Sequence, residues 1–133
     1  RVGEDFVATV TVEDGLDATR IMIPSMIVQI PVENAIKHGL AGKDGKKELS
    51  VYVSRETNGI RITVTDNGRG YLPQVVSTTR GTGTGLKVLY QTIQLLNTKN
   101  KSDKIRFDIT NRSDGQTGTE VSVYIPFRFS YDL

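Results

Sequence analysis

Two short runs near the middle of the chain alternate between apolar and polar residues, and only a turn separates them. Glu48–Arg55 and Ile60–Asp66 are rich in Val, Ile, Tyr and Thr. In the second run Ile60, Ile62 and Val64 share one face, while Arg61, Thr63 and Thr65 share the other. A period of two is that of a pleated strand with one buried face. Asn58-Gly59 between the runs supplies the positive-φ pair of a tight hairpin turn. These strands commit the chain to an antiparallel pairing that needs cover on one side.

The cover comes from two stretches with helical spacing. Met22–Leu40 places Ile23, Met26, Ile27 and Ile30 along one stripe and stops at Gly39. Pro31 lies inside it, where the missing N–H and the clash with the preceding turn predict a kink or a restart. Thr84–Thr98 repeats Leu86, Leu89, Ile93 and Leu96 at steps of three and four. Asp5–Val12 alternates Phe6, Ala8, Val10 and Val12 and reads as a half-buried strand. Lys104–Thr110 and Thr119–Phe127 read as two more strands, joined by a polar turn around Asp114-Gly115. No repeat, low-complexity run or linker divides residues 1–133, so a single domain is expected. Its predicted class is α+β: a two-layer α/β sandwich with about five strands in a mixed, largely antiparallel sheet, covered by helices on one face.

Composition narrows the chemistry. Of the 133 residues, 37% are hydrophobic and 24% charged, which suits a soluble fold. The net charge of +2 is spread along the chain and gives no footprint for nucleic acid. With no cysteine there is no disulfide, thiolate metal site or cysteine nucleophile, and His38 is the sole histidine. No run approaches the ~20 apolar residues of a membrane helix. The chain opens at Arg1 without a methionine and reads as a fragment of something longer.

Three motifs carry candidate chemistry. In Glu33-Asn34-Ala35-Ile36-Lys37-His38-Gly39, residues Asn34, Lys37 and His38 stand at i, i+3 and i+4 and share a helix face. An amide oxygen suits Mg²⁺, which keeps most of its waters, and a lysine one turn on can reach phosphate oxygens. The same segment reads equally as an exposed helix end with a Glu33–Lys37 salt bridge. Asp66-Asn67-Gly68-Arg69-Gly70 follows a strand directly. An ionised carboxylate there accepts hydrogen bonds only, matching the exocyclic amine of adenine, and Gly68 and Gly70 let backbone approach a flat ring. Asp-Asn-Gly is also good turn chemistry, although a long aperiodic loop, Tyr71–Thr82, follows instead of a second strand. Gly81-Thr82-Gly83-Thr84-Gly85-Leu86 leads into the second helix, where backbone N–H groups and the helix dipole bind phosphate. It is neither a Walker loop nor the dinucleotide fingerprint. Glycine-rich loops are common, so the order of the three motifs within about fifty residues carries more weight than any one of them.

This ordered set resembles the N, G1 and G2 boxes of the Bergerat-fold (GHKL) ATPases, and the stretch Ile23–Gly39 is similar to the extended N box of LytS-like sensor histidine kinases. Asp66–Gly70 resembles G1, Gly81–Leu86 resembles G2, and Gly118-Thr119 resembles the short element that follows G2. The resemblance covers nearly the whole chain. It implies ATP and Mg²⁺ as ligands, with Asn34 holding the metal and Asp66 accepting from adenine. Lys37 and His38 would lie near the phosphates, and Gly68 and Gly70 along the base. Gly81, Gly83, Thr84, Gly85 and Leu86 would form the phosphate loop, with Tyr71–Arg80 as a lid and Arg80 adding a charge. The phosphoacceptor histidine would sit on a dimerisation helix upstream of Arg1. Such a fragment would be monomeric and would not autophosphorylate alone. The full-length protein would be a homodimer in the bacterial inner membrane, with this domain cytoplasmic and a response regulator as partner.

Members that hydrolyse ATP usually place a glutamate one turn before the magnesium asparagine. Here that position is Ile30, which accepts no proton. A kinase needs no base for water, since an imidazole is its nucleophile, so phosphotransfer to histidine is inferred over hydrolysis. Glu33, adjacent to Asn34, is a candidate to polarise that imidazole. Two other readings stand beside this one: a degenerate nucleotide-binding regulatory module, and an ATPase of the gyrase or chaperone type.

Overall fold

The computed structural model describes residues 6–16, 23, 25–40, 44–68, 84–100 and 103–129. Its elements in chain order are β1 (Phe6–Val12), α1 (Met26–Asn34), a π-helical turn (Ala35–Gly39), β2 (Lys47–Glu56), β3 (Gly59–Asp66), α2 (Thr84–Asn97), β4 (Arg106–Asn111) and β5 (Thr119–Pro126). The five strands form one sheet in the order β1-β2-β3-β5-β4. β1 runs parallel to β2, and the other three pairs are antiparallel. A parallel pair needs a crossover. Here the crossover carries α1 and the π turn.

Alternation along the strands sets the two faces. Ile62 and Val64 of β3, Leu49 and Val51 of β2, and Val121 and Val123 of β5 are buried in one cluster with Ile27, Leu89 and Ile93 of the helices. All four residues of the predicted α2 stripe, Leu86, Leu89, Ile93 and Leu96, are buried. α1 packs on α2 and on β3. The other face of the sheet is polar. Arg61 bonds Glu56 and Ser122 there, and the guanidinium carbons of Arg61 and Arg106 lie 5.9 and 4.9 Å from the Tyr124 ring centre.

Four sequence expectations are corrected. The first helix begins at Met26 rather than Met22, and Ile23 lies outside it. Ile23 precedes Pro24, whose ring disfavours the α conformation of the residue before it. The helix then runs through Pro31, which is buried in the core. The irregularity comes one turn later, where Leu40 donates to the Ala35 carbonyl five residues back at 2.8 Å. The β2–β3 turn is made by Thr57-Asn58, because Glu56 already pairs with Gly59. Neither Asn58 nor Gly59 has positive φ. Gly59 is required for another reason: a Cβ there would stand 2.2 Å from the Ile125 carbonyl oxygen on β5. Finally, β1 is not half-buried. Every residue between its two ends is exposed, Val10 by 72%, because β1 is the sheet's edge.

The junction between α2 and β4 is closed by one amide. Asn97 donates from Nδ2 to the Ile105 carbonyl at 3.0 Å and accepts from the Ile105 N–H at 2.9 Å. Ile105 is itself buried. Asn97→Ala strands both backbone groups beside the core and is expected to destabilise by about 1–3 kcal/mol. Urea unfolding checks it through a lowered midpoint with an unchanged slope.

Candidate functional site

Asp66 ends β3 on the same face as Ile62 and Val64, so it points toward the helices and extends the buried stripe. It is 4% exposed. Its Oδ1 accepts from the Gly68 N–H at 2.8 Å and from the Thr119 N–H at 3.3 Å. Among the described residues both bonds fall on that one oxygen, which leaves Oδ2 to receive a ligand donor. Burial pushes the Asp66 carboxyl above its ordinary value, while the Gly68 and Thr119 amides and the Arg112 charge pull it down.

Asn67 makes this strand end rigid. It donates from N to the Glu48 carbonyl at 3.1 Å and from Nδ2 to the Lys46 carbonyl at 2.9 Å, and its Oδ1 accepts from the Glu48 N–H at 2.8 Å. The Asp66-Asn67-Gly68 segment is therefore stitched back to β2 and not spent on a tight hairpin. Gly68 is buried beside Asp66.

Three residues that the motifs did not single out as ligand contacts complete this corner. Gly118 has φ of 141°, and a Cβ on it would lie 1.9 Å from the Asp66 carbonyl oxygen. Thr119 begins β5 beside Asp66 and is 6% exposed. Arg112 donates to the Asp66 carbonyl at 3.4 Å, and its own N–H bonds the Gly118 carbonyl at 3.1 Å. Gly118-Thr119 carried a sequence signal. Arg112 carried none, because it reaches Asp66 across forty-six positions of chain.

On the helix side, Asn34 is the last residue of α1 and is half-buried. Glu33 accepts from Gln29 Nε2 at 2.8 Å and stands 3.9 Å from Lys37 Nζ, both partners being exposed. The expected i, i+3, i+4 face is modified by the π turn. That winding departs from the α-helical spacing on which the expected face was drawn. His38 lies in that turn, and its side chain is outside the described residues. α1 and the π turn both pack against β3, the strand that ends in Asp66.

Thr84 opens α2 and is followed by Gly85. Leu86 is buried. Gly70, Arg80, Gly81, Gly83 and the predicted lid Tyr71–Arg80 lie outside the described residues. Among the described residues no cluster of three or more His, Cys, Asp or Glu could hold a metal.

A mixed five-stranded sheet under two helices matches the fold of histidine kinase catalytic domains. The histidine kinase domain of the blue-light-activated kinase EL346 from Erythrobacter litoralis superposes with a TM-score of 0.65 at 20% identity, over 93% of this chain and 52% of that one. The sequence profile of the histidine kinase-, DNA gyrase B- and HSP90-like ATPases matches residues 20–128, and the chain belongs to that family. It is 31% identical to the sensor protein LytS of Streptococcus mutans over 121 residues, covering 84% of this chain and 19% of that protein. It is 32% identical to the sensor histidine kinase YpdA of Escherichia coli over 104 residues, covering 78% and 18%. The chain thus spans about a fifth of the length of these relatives. Within the family it is an ATP-binding catalytic domain of the LytS-like sensor kinase kind.

Proposed function

We propose that residues 1–133 form one catalytic domain that binds Mg²⁺-ATP between the helix layer and the end of β3. The whole protein would transfer the γ-phosphoryl group to a histidine on a separate dimerisation helix, for relay to a response regulator. The observation that carries this reading is the Asp66 carboxylate. It is buried, faces the helices, and has one oxygen saturated by the Gly68 and Thr119 amides. A carboxylate held in this way suits one outside donor, and the exocyclic amine of adenine is such a donor.

The other residues take roles along the nucleotide. Gly68 and Gly70 flank the base. The amides of Gly81, Gly83, Thr84, Gly85 and Leu86 receive the phosphates at the start of α2, with Arg80 adding charge from the lid. Asn34 holds Mg²⁺, which supplies charge neutralisation on the phosphates. Lys37 and His38 lie toward the phosphate end. Glu33 sits at an exposed position of α1, where an imidazole from another domain can meet it. Catalysis here is positioning and charge stabilisation.

Ile30 favours kinase over hydrolase. It packs, partly buried, against the core, and no carboxylate replaces it one turn before Asn34. The domain is read as cytoplasmic and monomeric alone, within a homodimeric protein of the inner membrane. None of the described helices is long and apolar enough to cross a membrane.

Thermal unfolding with and without Mg²⁺ and a non-hydrolysable ATP analogue tests the pocket. Ligand at a hundredfold its dissociation constant is expected to stabilise by ~2.7 kcal/mol. For a domain of this size the unfolding temperature rises by roughly 5–15 °C. No rise at millimolar nucleotide would sink the reading.

A further inference from the structure

We propose that Arg112 is a positioning residue for nucleotide recognition: from the outer side of the sheet it anchors the end of β3 and presents a fixed positive charge behind the Asp66 carboxylate. This rests on the reading that Asp66 receives the base.

The geometry separates Arg112 from the ligand side. Asp66 projects toward the helices, on the face shared with Ile62 and Val64. Arg112 lines a pocket of about 210 Å³ together with Thr9, Ser50 and Thr65, whose side chains alternate onto the opposite face. Its guanidinium reaches the Asp66 backbone carbonyl at 3.4 Å, and no described bond runs from it to either carboxylate oxygen. The charge is therefore delivered without occupying the acceptor atoms. A residue that bonded Oδ2 directly would compete with the base.

The guanidinium is held in place. Nε donates to Asp114 Oδ1 at 3.1 Å, and a second nitrogen bonds the other carboxylate oxygen in a two-pronged pair. Arg112 is the better covered partner, 15% exposed against 49% for Asp114. Its stem passes over Gly118: a Cβ on that glycine would lie 2.8 Å from the Arg112 Cδ. One side chain thus touches both strand ends that frame Asp66.

The electrostatics point the same way. Burial disfavours the ionised form of Asp66; the Gly68 and Thr119 amides oppose it first, and Arg112 is the charged group among the described residues that adds to them. Among the described residues the other charges near this corner are Asp114, Glu48 and Lys46, with Glu48 and Lys46 3.7 Å apart. Glu33 and Lys37 pair with each other on the exposed side of α1. Protonation at Oδ2, the oxygen away from the Gly68 and Thr119 amides, would put a donor toward the adenine amine, so the anion is the better acceptor.

The test compares wild type, Arg112→Met, Arg112→Gln, Arg112→Lys and Asp66→Asn in calorimetric titration with a non-hydrolysable ATP analogue, from mildly acidic to mildly alkaline pH. Arg112→Met is expected to bind about tenfold more weakly at mildly acidic pH, and its loss of affinity on acidification should begin at a higher pH than in wild type. Arg112→Gln keeps a hydrogen-bond donor without the charge and should show the same displacement. Arg112→Lys should restore the wild-type profile. An Arg112→Gln profile that coincides with wild type overturns the inference, whatever happens to the unfolding temperature. If Asp66→Asn binds as tightly as wild type, the reading of Asp66 itself has failed. If Asp66→Asn loses binding while the Arg112 variants keep the wild-type profile, only the role of Arg112 is refuted.

Discussion

Asp66→Asn is expected to remove nucleotide binding while leaving the unliganded domain at least as stable as wild type at neutral pH. The amide oxygen of asparagine can still accept from Gly68 and Thr119, so the fold around it is preserved. What changes is the atom facing the ligand: an NH₂ group now meets the adenine amine, donor against donor. Loss of a charged hydrogen bond at about 1.5–3 kcal/mol, together with a buried unpaired donor at about 1–3 kcal/mol, weakens binding by at least about a hundredfold. Stability moves the other way. The folded-state pKa of Asp66 is raised, so its burial subtracts from stability above that pKa and subtracts nothing below the unfolded-state value. As pH rises between the two values, wild type loses stability that the asparagine variant keeps. Thermal unfolding at neutral pH, with and without an ATP analogue, reads both effects. A variant that binds normally, or one that unfolds well below wild type without ligand, contradicts these roles for Asp66.

Gly118→Ala is the second large effect. The chain has positive φ at both Gly115 and Gly118, in the same β4–β5 turn. A methyl group added at Gly115 would meet nothing within 4 Å, whereas Gly118 would place its Cβ 1.9 Å from the Asp66 carbonyl oxygen. Backbone cannot yield as a flexible side chain does, so β3 and β5 must separate at their ends. The expected loss is about 2–4 kcal/mol, a fall of roughly 10 °C, together with lost nucleotide affinity as the Thr119 amide leaves Asp66. Gly115→Ala carries only backbone strain of about 1 kcal/mol and should bind normally. Equal effects at the two positions would show that the crowding at Asp66 is unimportant.

The parts of this architecture set by local periodicity were readable from the sequence. The stripe Ile60, Ile62, Val64 continues without a break to Asp66, so the same period of two carries the strand-end acid onto the buried side. Leu86, Leu89, Ile93 and Leu96 are all covered, because α2 is a regular amphipathic helix. Departures arise where long-range packing overrides local preference. Asn58-Gly59 has the composition of a positive-φ turn, yet Gly59 is used for close approach of β5. β1 has the alternation of a half-buried strand, but an edge position leaves Val10 uncovered. The i, i+3, i+4 projection from Asn34 assumed α-helical winding, and the π turn changed it. Arg112 and the crowding at Gly118 were illegible because their meaning lies in contacts with Asp66 from distant positions.

The antiparallel pairing of β3 with β5 joins segments whose contact at Asp66 and Thr119 closes fifty-three positions of chain. The β2–β3 hairpin closes only a two-residue loop. Loop-closure entropy makes the hairpin quick to form and the long-range pairing slow. A polypeptide emerging from the ribosome thus owns Asp66 well before the Thr119 amide that steadies its carboxylate. Under the proposed function, competence for nucleotide would arrive as a late event of folding, when β5 docks.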